Sequence, residues 1–151
     1  MCEYCGCQEV PAIAVLTAEH DAVVTLIGEV RADLRNGRLD AAAAGCRPMF
    51  AVLGPHVRVE EQGLFPPMRA EFPDQVDGLQ AEHRTIEAVL GEAASGTPTG
   101  GDWPARVLRA LEDLREHILK EQDGVFPASL AILRPEDWDR IDELRADVSR
   151  A

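Results

Sequence analysis

Apolar residues recur at steps of three and four through most of this chain, and no stretch alternates as a strand would. Ile13, Leu16, His20, Val23, Ile27, Val30 and Leu34 lay out one face of a helix over about 12–34. Asn36-Gly37 ends it. A second, less regular helix is predicted over 39–72, with Pro48 and Pro55 inside it. An interior proline removes a backbone hydrogen bond and bends the axis, so a kink is expected beside His56. Val76, Leu79, His83, Ile86, Val89 and Leu90 define a third helix over about 73–94, and Ser95 to Gly101 reads as a loop. Asp102 is the expected N-cap of a fourth helix, with Pro104 in its first turn, running to about Leu133. Pro135-Glu136-Asp137 opens a shorter fifth helix that ends near Val148. Four such helices joined by short links predict an all-α, antiparallel up-down four-helix bundle with a short C-terminal helix. The expected division is a cysteine-rich tail over 1–11 and the bundle over 12–151.

Within that framework one pattern occurs twice. His56-Val57-Arg58-Val59-Glu60 leads on to Phe65-Pro66, and His117-Ile118-Leu119-Lys120-Glu121 leads on to Phe126-Pro127. Upstream lies a shorter echo, Ala18-Glu19-His20 and Ala81-Glu82-His83, and these segments hold all 4 histidines. The halves of the bundle therefore read as repeats. The first and third helices carry one histidine each; the second and fourth carry His-x-x-x-Glu.

Residues four apart on a helix are neighbours, with Cβ atoms about 5–6 Å apart. His56 with Glu60, and His117 with Glu121, can each hold one ion or span two. A lone histidine on an apolar helix face is ordinarily a hydrogen-bonded core residue. Four of them in repeated order, two followed by glutamate, point to metal. Imidazole with carboxylate suits iron or manganese, and carboxylates can bridge two ions. Glu61, Gln62 and Gln122 are read as supporting or surface groups, and Phe65 and Phe126 as packing that keeps the site dry.

The combined motif resembles the hemerythrin-like (HHE cation-binding) family, four-helix bundles with a non-haem di-iron centre. The resemblance covers about Ala12 to Leu133 and rests on His20, His56-x-x-x-Glu60, His83 and His117-x-x-x-Glu121, with Leu64-Phe65-Pro66 and Val125-Phe126-Pro127. It implies two iron ions, oxo- or hydroxo-bridged, held by His20, His56, Glu60, His83, His117 and Glu121. Glu87 stands four places after His83, where oxygen-carrying members have a further histidine. It is read as an oxygen ligand in that histidine's place, or else as a solvated helix glutamate. A reversible oxygen carrier is therefore not expected. Two six-coordinate ions offer about twelve positions, and this donor set with one bridging oxygen leaves about one or two open. The implied function is to bind or reduce small oxidants (O₂, H₂O₂ or NO), with catalase-like turnover as one form. The alternative is an iron, oxygen or redox sensing module without turnover.

Composition narrows the partners. At 151 residues and a net charge of −12, with no basic cluster, the chain is not expected to bind nucleic acid or anionic membranes. No apolar run approaches the roughly 18 residues of a membrane span, and the first residues lack the pattern of a signal peptide, so a cytoplasmic protein is expected. Cys2, Cys5 and Cys7 offer a thiolate set for a second metal (zinc, copper(I) or a cluster), with Cys46 as the fourth ligand. The other readings of that group are a redox-sensitive tail or a reduced one without specific role.

Overall fold

The computed structural model describes residues 10–150, and Cys2, Cys5 and Cys7 lie outside them. Among the described residues every regular element is helical, without strands. Helix α1 spans Pro11–Arg35, α2 Leu39–Val59, α3 Phe65–Met68, α4 Pro73–Gly91, α5 Trp103–Lys120, α6 Phe126–Ile132 and α7 Pro135–Arg150. Short wide turns, Glu60–Leu64 and Glu121–Val125, join α2 to α3 and α5 to α6. The result is four rods plus a C-terminal helix. Each rod packs on its neighbours in the order α1, α2, α4, α5, with α5 returning to α1, while α7 lies against α1, α2 and the first wide turn.

Local chemistry sets the ends of these helices. Gly37 stops α1 with φ at +70°, a left-handed conformation that glycine adopts without a Cβ penalty. Asn36 Nδ2 donates to the Ala32 carbonyl at 2.8 Å, satisfying one of the last free acceptors. At the start of α7, the Asp137 carboxylate accepts the Arg134 backbone N–H at 2.9 Å. Asp102 does sit at the N-cap of α5, but its side chain makes no cap hydrogen bond. It accepts instead from Arg106 Nε at 3.1 Å, because a cation one turn along competes with the backbone donors.

The α-helix runs through both Pro48 and Pro55, and the departure from α geometry comes later, at Glu60. Pro66 and Pro127 account for its position. Neither can donate an N–H, and each ring crowds the carbonyl four residues back. The backbone widens by one residue, so Phe65 N–H bonds to the Glu60 carbonyl and Phe126 N–H to the Glu121 carbonyl. The displaced Gln62 carbonyl is met by Arg140 Nε at 3.4 Å.

Two apolar clusters fill the bundle. One holds Val23, Ile27, Met49, Leu53, Ile86, Leu90, Trp103, Leu111, Leu114 and Ile118. The other holds Ile13, Leu16, Val59, Leu64, Phe65, Leu79, Phe126 and Ile141. Burying each such side chain contributes roughly 1.5–3 kcal/mol. The two clusters meet at a waist: His20 falls between Leu16 and Val23, His56 between Leu53 and Val59, and His83 between Leu79 and Ile86.

Candidate metal centre

At this waist the helical register turns all four imidazoles inward. His20, His56, His83 and His117 are at most 5% exposed, and Glu60 and Glu121 are completely buried. His56 Nε2 lies 2.7 Å from Glu60 Oε1, and His20 Nε2 lies 2.9 Å from Glu121 Oε1. His117 Nε2 is 3.2 Å from Glu121 Oε2, while His83 Nε2 is 3.8 Å from Glu60 Oε1 and 4.0 Å from Glu121 Oε2. These atoms form two overlapping groups. His20, His56, Glu60 and Glu121 make one, and His83, His117 and Glu121 make the other, with the donor atoms of each group within 4.8 Å of one another. Glu121 belongs to both groups.

The outward nitrogens are equally well defined. His56 Nδ1 donates to Glu19 at 3.0 Å, His83 Nδ1 to Glu61 at 2.7 Å and His117 Nδ1 to Glu82 at 2.8 Å. His20 Nδ1 meets the side-chain oxygen of Gln122 at 3.2 Å. An ionised carboxylate can only accept, so three rings carry a proton on Nδ1 and turn Nε2 inward. Cations complete the chains. Arg145 binds Glu19, Lys120 binds Glu82 at 2.6 Å, and Arg84 binds Glu61 at 3.3 Å.

Stacked rings wall the site. Phe126 lies over His20 with centroids 5.5 Å apart, and Phe65 over His83 at 5.9 Å. The wide turns make this fit: one extra residue brings the fifth position after each glutamate onto the glutamate's own face. The cavity between the groups is about 10 Å³, close to what a single water-sized particle needs.

Electrostatics show what the protein atoms lack when left to themselves. His56 Nε2, His117 Nε2 and both oxygens of Glu60 and Glu121 are buried without a properly directed hydrogen bond, despite their short separations. Burial, then repulsion from Glu121, pushes the Glu60 carboxyl well above its usual range. Burial opposes ionisation of Glu121 too, but Glu60, His117 and His20 outweigh it and hold that carboxyl well below its usual value. Burial also works against a charged His117, yet Glu121 and Glu60 raise it to about 9. His83 is lowered by burial and by His117. Facing lone pairs and crowded carboxylates at zero exposure are costly unless a cation lies among them. The residues present fit a metal.

Glu87 lines the cavity but belongs to neither group. Burial, then Glu61, raises its carboxyl. Cys46 is buried in the first apolar cluster, and desolvation pushes its thiol up to about 11, far from thiolate character. Sequence reasoning missed Glu19 and Glu82 as partners of the imidazoles, although the repeated Ala-Glu-His segments were the signal. It also named Glu61 and Gln122 without separating them from Gln62, which is exposed.

No helix among the described residues is long and apolar enough to cross a membrane. Comparison with curated proteins and with solved structures finds no match. Comparison with protein families matches residues 11–129 to the Hemerythrin HHE cation binding domain. That span includes all four rods and every histidine and glutamate of the buried cluster, and the chain belongs to the hemerythrin HHE cation-binding family.

Proposed function

We propose that this chain holds a non-haem pair of iron ions and uses it to bind or reduce a small oxidant, O₂, H₂O₂ or NO. One observation carries the reading: buried imidazole nitrogens and four carboxylate oxygens converge without hydrogen-bond partners. Nitrogen and carboxylate donors with no sulfur among them suit iron. His20, His56, Glu60 and Glu121 would hold one ion, and His83 and His117 with Glu121 the other. Such a pair, when bound, supplies two one-electron changes in concert.

The residues themselves do the rest. Glu19, Glu61, Glu82 and Gln122 fix the ring orientations from outside. Phe65 and Phe126 stack against the imidazoles and keep water away. Leu53, Ile86, Leu114 and Ile118 line the cavity and give it an apolar wall. Its size favours ligands of one or two heavy atoms. Glu87 lines the same cavity, and its carboxylate would be a further oxygen donor to the pair.

The test is direct. Iron-loaded protein should carry two irons per chain and release O₂ from H₂O₂, while His56→Ala and Glu121→Ala should lose both metal and turnover. Equal turnover in all three would remove the centre from the chemistry. Sensing without turnover is a second reading, favoured by the burial of Glu60 and Glu121, which ties stability to the bound cation.

A further inference from the structure

The residues that back the four imidazoles match between the two halves of the centre, except at one position. Glu61 follows Glu60, and Gln122 follows Glu121. Each reaches the Nδ1 of a histidine from the other half, Glu61 at 2.7 Å from His83 and Gln122 at 3.2 Å from His20. The other two histidines are backed by the carboxylates of Glu19 and Glu82. Three imidazoles therefore lean on a negative charge, and His20 leans on a neutral amide.

Two consequences follow from elementary chemistry. A carboxylate drawing on Nδ1–H makes the opposite nitrogen a stronger donor, and an amide oxygen does this less. A carboxylate also fixes the tautomer, whereas an amide side chain carries both an acceptor and a donor. His20 Nε2 lies 2.9 Å from Glu121 Oε1, so a ring with its proton moved to Nε2 has an acceptor waiting. His20 is the one imidazole of the centre that can leave metal-binding form without breaking a contact to an anion.

Resting on the two-ion reading above, we propose that Gln122 is a positioning residue that weakens the ion position built on His20 and His56 below what a carboxylate there would give. The position built on His83 and His117 is backed by Glu61 and Glu82 and carries no such amide. The amide offsets part of the gain from Glu60, the additional donor of the first position.

Metal-free full-length protein would be titrated with Co²⁺, followed by calorimetry and visible absorption. The wild type should bind two ions. Gln122→Glu should strengthen one step by about tenfold, the scale on which outer partners act on metal affinity, and leave the other unmoved. Glu61→Gln should weaken the other step by a similar factor. Gln62→Glu adds the same charge at an exposed place and should move neither step; if it reproduces Gln122→Glu, general charge is the cause and the proposal fails. Steps that Gln122→Glu leaves unchanged, or Glu61→Gln acting on the same step as Gln122→Glu, would also overturn it. Failure to bind two ions in any variant would instead sink the two-ion reading itself.

Discussion

Arg145, on the C-terminal helix, grips Glu19 on α1 with both terminal guanidinium nitrogens, each 2.9 Å from a carboxylate oxygen. Glu19 passes that hold to His56, so a residue far along the chain orients a metal-facing imidazole. Burial works against ionising Glu19, but the bonds from His56 and Arg145 prevail and keep its carboxyl below the usual range. Glu19→Gln should cut metal affinity about 10- to 100-fold. Arg145→Ala should do so more weakly, since water can replace part of a contact that is itself 23% exposed. Competition against a chelator of known strength measures both; unchanged affinity in Glu19→Gln would leave the contact without a role in binding.

The first wide turn and α7 meet at a glycine. A Cβ on Gly63 would stand 2.8 Å from Ile141 Cγ1 and 3.0 Å from Leu144 Cδ1. The matching Gly124 has nothing within 4 Å. Gly63→Ala should destabilise by about 1–3 kcal/mol through overpacking. Gly124→Ala should be neutral or stabilising by up to about 1 kcal/mol, the helix gain over glycine. Urea unfolding of the two variants side by side separates contact from backbone effects.

The pH response of the metal-free protein has a definite sign. His117 rises from 6.5 to about 9 on folding, so its contribution is complete below pH 6.5 and is lost as pH climbs through 9. Glu60, also raised, acts in the same sense from its lower starting value. Stability should fall between pH 6.5 and 9 by up to about 3 kcal/mol from His117. His117→Gln should flatten that slope. Denaturant midpoints across the window give the answer, and a metal-free protein more stable at pH 9 than at 6.5 would reverse it.

Removing metal should lower the melting temperature. An ion present at a thousand times its dissociation constant stabilises by about 4 kcal/mol, roughly 10 °C for a chain of this size. Glu60→Gln should melt close to the metal-free wild type, because Glu60 is already pushed toward its neutral form there. Added metal should then raise the variant far less than the wild type. Identical melting of loaded and metal-free wild type would exclude metal-coupled switching.

Much of this site was legible in the chain because helical geometry is regular. His56 and Glu60, four apart, had to share a face, and the apolar steps around His20 and His83 aimed those rings at the core. The wide turns were not legible as such. Their cause, Pro66 and Pro127, stands in the repeated motif, but spacing alone gives those prolines no structural role. The expected effect of proline was assigned to Pro55, inside α2, while Pro66 marks the change in backbone. Glu19 and Glu82 escaped because their partners lie on a neighbouring helix, a tertiary relation that spacing along one helix does not encode. Asp102 fitted a sequence rule and lost to a nearby arginine.

The exchange of Glu61, Gln122, Phe65 and Phe126 between halves sets a minimum size for the machine. A lone hairpin bearing one histidine and one His-x-x-x-Glu would extend its amide or acid and its benzene ring toward nothing. Only a second hairpin can return them, whether fused in the same polypeptide or recruited as a twin. Cutting the link between α3 and α4 should therefore yield pieces that are inert apart and competent when mixed.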